Sequence, residues 1–310
     1  MASHDSRNKN VVSYVDGRFV NQYEAAVPLF DAGLLHGKLV WSSPRLIHGR
    51  LFRLQDHLQK IRRAAELNYF PIVPTEQAFI DAIRVTLQRN NMFHGAHVRI
   101  ILTAGNQITA SMDLAAIIDW KGDVSPPRII IMPEYRDNVY DAEKGISLIT
   151  SSFKRPGPDV VDQISHDNNQ NASSRALAEA KRAGKTSSLM YDIDGFLAEA
   201  PASHVAIIKN GRLRTPWVRC CPPGVTRKVI LELCETHQIP AEEADITAAE
   251  VRDADELFLL GTMSGPVGVT ELDGRPVGTG RIGPLTLRLS ALYQQALIDP
   301  AQGFDAALSH

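Results

Sequence analysis

The feature that most restricts this chain is a polar stretch, Pro133 to Gly145, bounded by proline and glycine. It lies between two segments that each carry their own strand and helix patterns. Punctuation of this kind marks a linker, and 310 residues are enough for two separate cores. The expectation is a small N-terminal α+β domain over residues 1–133, a linker over 134–145 and a larger C-terminal domain over 146–310.

Local patterns fill in both halves. Val11 to Val20 alternates apolar and polar residues across Asp16-Gly17, which predicts a hairpin. Arg50 to Leu54 continues as a strand. Leu54 to Leu67 then has Leu54, Leu58, Ile61, Ala64 and Ala65 at helical spacing. Thr75 to Arg89 reads as a second helix with Thr75 as its cap. His97 to Thr103, Ala115 to Asp119 and Arg128 to Met132 are strands by their β-branched content. In the second half, Ile146 to Ser151, Ser187 to Asp192, Phe196 to Glu199, His204 to Lys209 and Glu256 to Gly261 are strands. Ala172 to Ala183, Thr226 to Glu235 (capped by Thr226) and Pro284 to Ile298 are helices.

Composition excludes several classes. A net charge of -2 gives no general attraction to nucleic acid or anionic membrane. No apolar run approaches the roughly 18 residues of a membrane span, and the polar start, Met1 to Asn10, is no secretory signal. A cytoplasmic setting is the expectation. Cys220, Cys221 and Cys234 show no metal-ligand spacing and read as buried thiols, so no metal is expected.

Four segments carry more information. They are Gly49-Arg50-Leu51-Phe52-Arg53-Leu54-Gln55-Asp56-His57-Leu58, Asp194-Gly195-Phe196-Leu197-Ala198-Glu199, Pro223-Gly224-Val225-Thr226-Arg227, and Glu256 to Thr262. In this order and spacing they resemble the class IV aminotransferases, fold type IV of the pyridoxal phosphate (PLP) enzymes. The resemblance covers roughly residues 12 to 295. It implies an α+β, two-domain architecture like that of D-amino acid aminotransferase, with a site between the domains. It also implies a homodimer acting on a small amino or keto acid, with PLP or pyridoxamine phosphate (PMP) as cofactor.

The residue chemistry suits that cofactor. Gly224, Val225 and Thr226 open a helix whose N–H groups and dipole can hold a phosphate. Thr262 and Met263, after Gly261, would add backbone donors and a hydroxyl. By resemblance Glu199 is the carboxylate that pairs with the pyridine nitrogen, Lys60 stands where an arginine usually contacts the phosphate, and Arg99 matches a frequent active-site arginine. Leu35 to Ser43, with Lys38, is rewritten relative to the family. Gln170 lies where many members have a tyrosine, and His204 replaces an asparagine.

The sharpest departure is His166, in Ser165-His166-Asp167-Asn168-Asn169, at the position of the family's catalytic lysine. Imidazole cannot anchor PLP covalently, but it serves as an acid or base near neutral pH. Three readings follow. The chain binds PLP or PMP non-covalently with His166 as acid/base; or it runs cofactor-independent lyase, isomerase or cyclase chemistry with His166, Asp167, Lys38 or Arg99; or it is a non-catalytic binding partner.

Overall fold

The computed structural model describes residues 5–136, 140 and 144–306. Of the stretch read as a linker, 137–139 and 141–143 lie outside the described residues. The chain divides into two compact units. One comprises Met1–Asp137, Ser165–Asn169 and Leu297–His310, the other Asn138–Ile164 and Gln170–Ala296. Ser165–Asn169 and Leu297–His310 lie beyond residue 146 in sequence yet belong to the first unit. Backbone pairing explains both. Asp167 bridges Val40, and Gly303–Asp305 pairs with Arg50–Phe52.

Among the described residues, the first unit is built on an eight-stranded sheet. The hairpin Val12–Val15 and Arg18–Asn21 forms as its Asp16-Gly17 turn predicts, with positive φ at both turn residues. Its first strand pairs with Arg128–Tyr135, which pairs along its length with Ala96–Thr103. Ala96–Thr103 also carries Leu39–Ser42 and Arg45–Ile47. Helices Leu54–Leu67 and Glu76–Arg89 bury one face each, with Leu58, Ile61, Phe79 and Ile83 joining one core with Val98 and Ile100. The Thr75 side chain accepts from the Ala78 N–H, as a cap should.

Two sequence expectations are corrected here. The strand expected to end at Met132 runs through Pro133 to Tyr135, because its register with Ala96–Thr103 continues and the Asn8 side chain both donates to and accepts from the Tyr135 backbone. Ala115 to Asp119 is not a strand. Asp113 caps a 3-10 turn over Leu114–Ala116 instead, and local capping overrides β-branched composition.

The second unit holds, among the described residues, a nine-stranded mixed sheet. From one edge the main path runs Leu197–Glu199, Ser187–Tyr191, Ile146–Thr150, Gly265–Leu272, Glu256–Gly261, His204–Lys209, Arg212–Pro216 and Ala241–Ala244. Helices Asn171–Arg182, Val225–Thr236 and Pro284–Ile298 accompany it. Leu148, Leu189, Val205, Ile207, Leu257, Leu259 and Val267 form its core. The helix assigned to start at a Thr226 cap begins one residue earlier. Gly224 is the N-cap, in extended conformation and without a side-chain cap, so Thr226 sits inside the first turn. No helix among the described residues is long and apolar enough to cross a membrane.

Candidate functional site

In the second unit the site is built around Glu199. This residue ends the short strand Leu197–Glu199, whose pairing with Ser187–Tyr191 shifts register between Leu197 and Glu199. Such an irregularity re-aims a side chain, and Glu199 is buried. Its carboxylate meets a fully buried cation: Arg155 Nε lies 3.0 Å from Glu199 Oε1. The guanidinium also donates from Nε to the Cys220 carbonyl at 2.9 Å and from Nη1 to Ser173 Oγ at 2.8 Å. The Arg155 backbone N–H donates to the Tyr191 carbonyl, which fixes it beside the same strand. Sequence reasoning missed Arg155; nothing in Lys154-Arg155-Pro156 distinguishes it from a surface basic pair.

Next to Glu199 lie Cys221 and His204. One ligand-capable atom of each of the three falls within 4.8 Å of the others. Burial pushes the Cys221 thiol well above its ordinary range, and the Glu199 charge adds to the effect. His204 opens the strand His204–Lys209 and packs onto Gly224, where an added Cβ would lie 2.2 Å from His204 Cδ2. Gly224 is therefore required by the imidazole above it.

The helix that Gly224 begins is tied down by Arg227. Its guanidinium donates to Thr215 Oγ1 and the Pro216 carbonyl and pairs with Glu243. Thr226 is buried, with Oγ1 3.5 Å from the Tyr293 hydroxyl. Thr262 and Met263 occupy the turn between Glu256–Gly261 and Gly265–Leu272. In that turn Gly265 has φ +63 and could not carry a Cβ, which would stand 2.6 Å from Tyr293 Cδ1. Tyr293 thus touches both the Gly224–Thr226 helix start and the Gly261–Gly265 turn. It was also missed, because a tyrosine in a closing helix carries no local signal.

These residues fit a phosphorylated pyridine. A helix start without a side-chain cap supplies N–H donors and a positive dipole end. Thr226 adds a hydroxyl, and a buried carboxylate already paired with a cation suits a protonated ring nitrogen.

Of the other residues singled out from sequence, His166, Asp167, Arg99, Lys38 and Lys60 belong to the first unit and Gln170 to the second. His166 has φ 44, in the left-handed region. Its Nδ1 is 2.7 Å from the Trp41 carbonyl oxygen, and the two rings meet at 4.0 Å between centroids. The Trp41 N–H donates back to the His166 carbonyl. A carbonyl oxygen only accepts, so Nδ1 carries the proton and Nε2 of the neutral ring carries the lone pair. Arg99 stands with its guanidinium 4.4 Å from the Trp41 ring centroid, and burial lowers its pKa against the opposing charge of Glu134. Trp41, in the rewritten segment, is the residue that unites His166 and Arg99.

Asp167 bridges Val40 and accepts the Asn169 N–H at 2.8 Å, and so shapes the His166 loop. Lys38 donates to the Asn68 carbonyl at 3.4 Å. Lys60 lies half-buried on the helix Leu54–Leu67, where its charge acts on the buried His57. Gln170 caps the helix Asn171–Arg182 by position but makes no side-chain cap.

Comparisons with known proteins show the family and the fold. Residues 43–272 match the model of the amino-transferase class IV family. Branched-chain-amino-acid aminotransferase-like protein 2 of Arabidopsis thaliana is 33% identical over 288 residues, which is 93% of this chain and 50% of that protein. The chain therefore spans about half the length of this plant relative. The putative branched-chain-amino-acid aminotransferase of Methanocaldococcus jannaschii is 30% identical over 282 residues, covering 91% of this chain and 94% of the relative. The solved branched-chain amino acid aminotransferase of Escherichia coli superposes with a TM-score of 0.87 at 22% identity, covering 96% of this chain and 99% of that one. A T.th. branched-chain amino acid aminotransferase with pyridoxamine 5'-phosphate gives 0.84 at 22% identity, covering 96% and 98%. At these identities the structural likeness speaks to a shared fold, fold type IV.

Proposed function

The chain belongs to the class IV aminotransferases, and on that premise we propose that it binds PLP or PMP non-covalently and acts on a small amino or keto acid with His166 as acid/base. The observation that carries this reading is the buried Arg155–Glu199 pair, in the same unit as a helix start without a side-chain cap. In this reading Gly224, Val225, Thr226, Thr262 and Met263 hold the phosphate and Glu199 faces the ring nitrogen. A bound cofactor supplies an electron sink. Paired with Arg155, the Glu199 carboxylate can hold a proton on the ring nitrogen. The Trp41 carbonyl fixes the His166 tautomer and leaves Nε2 as the basic atom. Arg99, cationic beside Trp41, is suited to a substrate carboxylate. A homodimer is part of the proposal; Tyr23, Leu29 and Phe30, exposed and close in sequence, are the apolar residues offered for it.

One observation favours a second reading, a cofactor-independent enzyme on the same scaffold. The His204 ring packs against Gly224, crowding the helix start offered to the phosphate. Visible absorption separates the two. On adding PLP to the purified protein, the first reading expects a bound chromophore that dialysis removes and borohydride does not fix to the chain. A covalent adduct after borohydride would overturn the role given to His166 and assign a lysine elsewhere. Absence of any PLP or PMP binding, with an activity that His166→Ala abolishes, would establish the second reading.

A further inference from the structure

We propose that Glu199, His204 and Cys221 form a binding site for a zinc-like divalent cation, and that this site shares Glu199 with the cofactor. The sharing clause rests on the role proposed for Glu199 above; the metal site does not. A carboxylate oxygen, an imidazole nitrogen and a cysteine sulfur lie within 4.8 Å of one another. Zinc bonds of about 2.0–2.3 Å in a tetrahedron space their ligands by about 3.5 Å. Side-chain rotations of roughly an ångström close that gap.

The fold brings the three together from separate elements. The register shift in its strand aims Glu199 inward. A tight turn, with Ala200 and Ser203 bridged to each other, then delivers His204 at the head of the next strand. Cys221 arrives on the segment that precedes the Gly224 helix cap. Glu199 is 6% and Cys221 1% exposed, and His204 is half-buried. This leaves the His204 side for a fourth ligand such as water, the arrangement of a three-ligand open zinc site. Contact with Gly224 restrains the imidazole on one side, so part of the ordering cost is met before an ion arrives.

Ligand chemistry selects the metal. Calcium and magnesium take oxygen ligands, whereas a sulfur, nitrogen and oxygen set suits zinc and its cobalt substitute. On binding, Cys221 loses its thiol proton to solvent as sulfur joins the metal. The ion then faces two negative ligands. The Arg155 guanidinium beside Glu199 opposes it and weakens the site without cancelling it. With Oε1 facing Arg155, a metal ion and a protonated pyridine nitrogen would draw on the same remaining carboxylate oxygen of Glu199, so metal and cofactor compete.

The test titrates the full chain with Co2+ and Zn2+. One cobalt per chain is expected, with a near-ultraviolet thiolate-to-cobalt charge-transfer band and tetrahedral visible bands. Cys221→Ser should abolish the charge-transfer band. His204→Asn should weaken cobalt binding roughly tenfold or more, since loss of even an outer partner costs about 10–100-fold. No charge-transfer band in the unmodified protein overturns the site whether or not any variant folds. A band retained in Cys221→Ser, or unchanged affinity in a folded His204→Asn, overturns it equally. For the sharing clause the probe is pyridoxine 5'-phosphate, which lacks the aldehyde that chelates metals. Zinc should weaken its binding at least tenfold, and undiminished binding refutes the competition. If the probe fails to bind even without zinc, the cofactor reading and the sharing clause fall together, while the cobalt spectrum still decides the metal site.

Discussion

Arg155 Nε stands 3.0 Å from Glu199 Oε1, with the arginine side chain fully buried and the glutamate nearly so. Removing one member of a buried pair strands the other charge away from water, which costs about 3–5 kcal/mol. Arg155 also satisfies the Cys220 carbonyl and Ser173 Oγ, so its loss unties two further groups. Arg155→Met is expected to lower stability by that amount in urea unfolding. Arg155→Met combined with Glu199→Gln should recover a large part of it, because no net charge is left buried. If the double variant is no more stable than the single one, the ion pair is not what holds this corner together.

How much of this could be read from the chain depends on the range of each interaction. The helix Leu54–Leu67 and the strands His204–Lys209 and Glu256–Gly261 fall where their apolar patterns put them, because each follows from its own residues. Gly224, Thr226 and Glu199 can be singled out in the chain because each sits in a short motif that resembles the family's; their roles toward a cofactor belong to the proposal. Arg155, Tyr293 and the grouping of Glu199 with His204 and Cys221 were not legible in this way. Arg155 meets Cys220 across 65 positions and Thr226 meets Tyr293 across 67, and no local pattern encodes such pairs. The strand Gly265–Leu272 was also hidden. Glycine and proline dominate its start, residues that weaken a strand pattern even where tertiary pairing forms one.

Gly224 offers a test that depends on one contact. Its φ of -89 is open to any residue, so alanine carries no backbone penalty there. The added Cβ, however, would lie 2.2 Å from His204 Cδ2, and the ring has to move. Gly224→Ala is expected to cost about 1–3 kcal/mol, the range for overpacking. In the His204→Ala background the same change should cost little, and a double-mutant cycle by denaturant unfolding measures the difference. Equal costs in both backgrounds would exclude the ring contact as the cause.

His57 predicts an acid limb in stability. Its pKa is held down from 6.5 to about 3, first by burial and then by the charge of Lys60. Ser42 Oγ lies 2.7 Å from its Nδ1. A histidine whose folded pKa is lowered stays neutral in the native state, while the unfolded chain takes up the proton below 6.5. The stabilisation is therefore complete above pH 6.5 and drains away as pH falls toward 3, by on the order of 5 kcal/mol. Unfolding free energies between pH 4 and 8 should fall with acid in the unmodified protein and fall less steeply in His57→Gln. Lys60→Met should also flatten the slope, by a smaller amount, because its charge is only the second cause.

An argument for the role proposed for His166 comes from its backbone. At φ 44 it occupies the left-handed region, where a non-glycine residue costs roughly 1–2 kcal/mol and glycine is at ease. Backbone strain alone would favour glycine there; the ring contact with Trp41 and the bond to its carbonyl oppose that preference. His166→Gly is thus expected to change the unfolding free energy by less than about 1 kcal/mol, because relief of strain and loss of contact oppose each other. His166→Val should be clearly destabilising, since a β-branched side chain suits this region poorly. Set beside these, the activity proposed on a small amino or keto acid should disappear in His166→Gly despite its retained stability. A His166→Gly protein that unfolds like the parent and turns over substrate at the parent rate would remove His166 from the reaction.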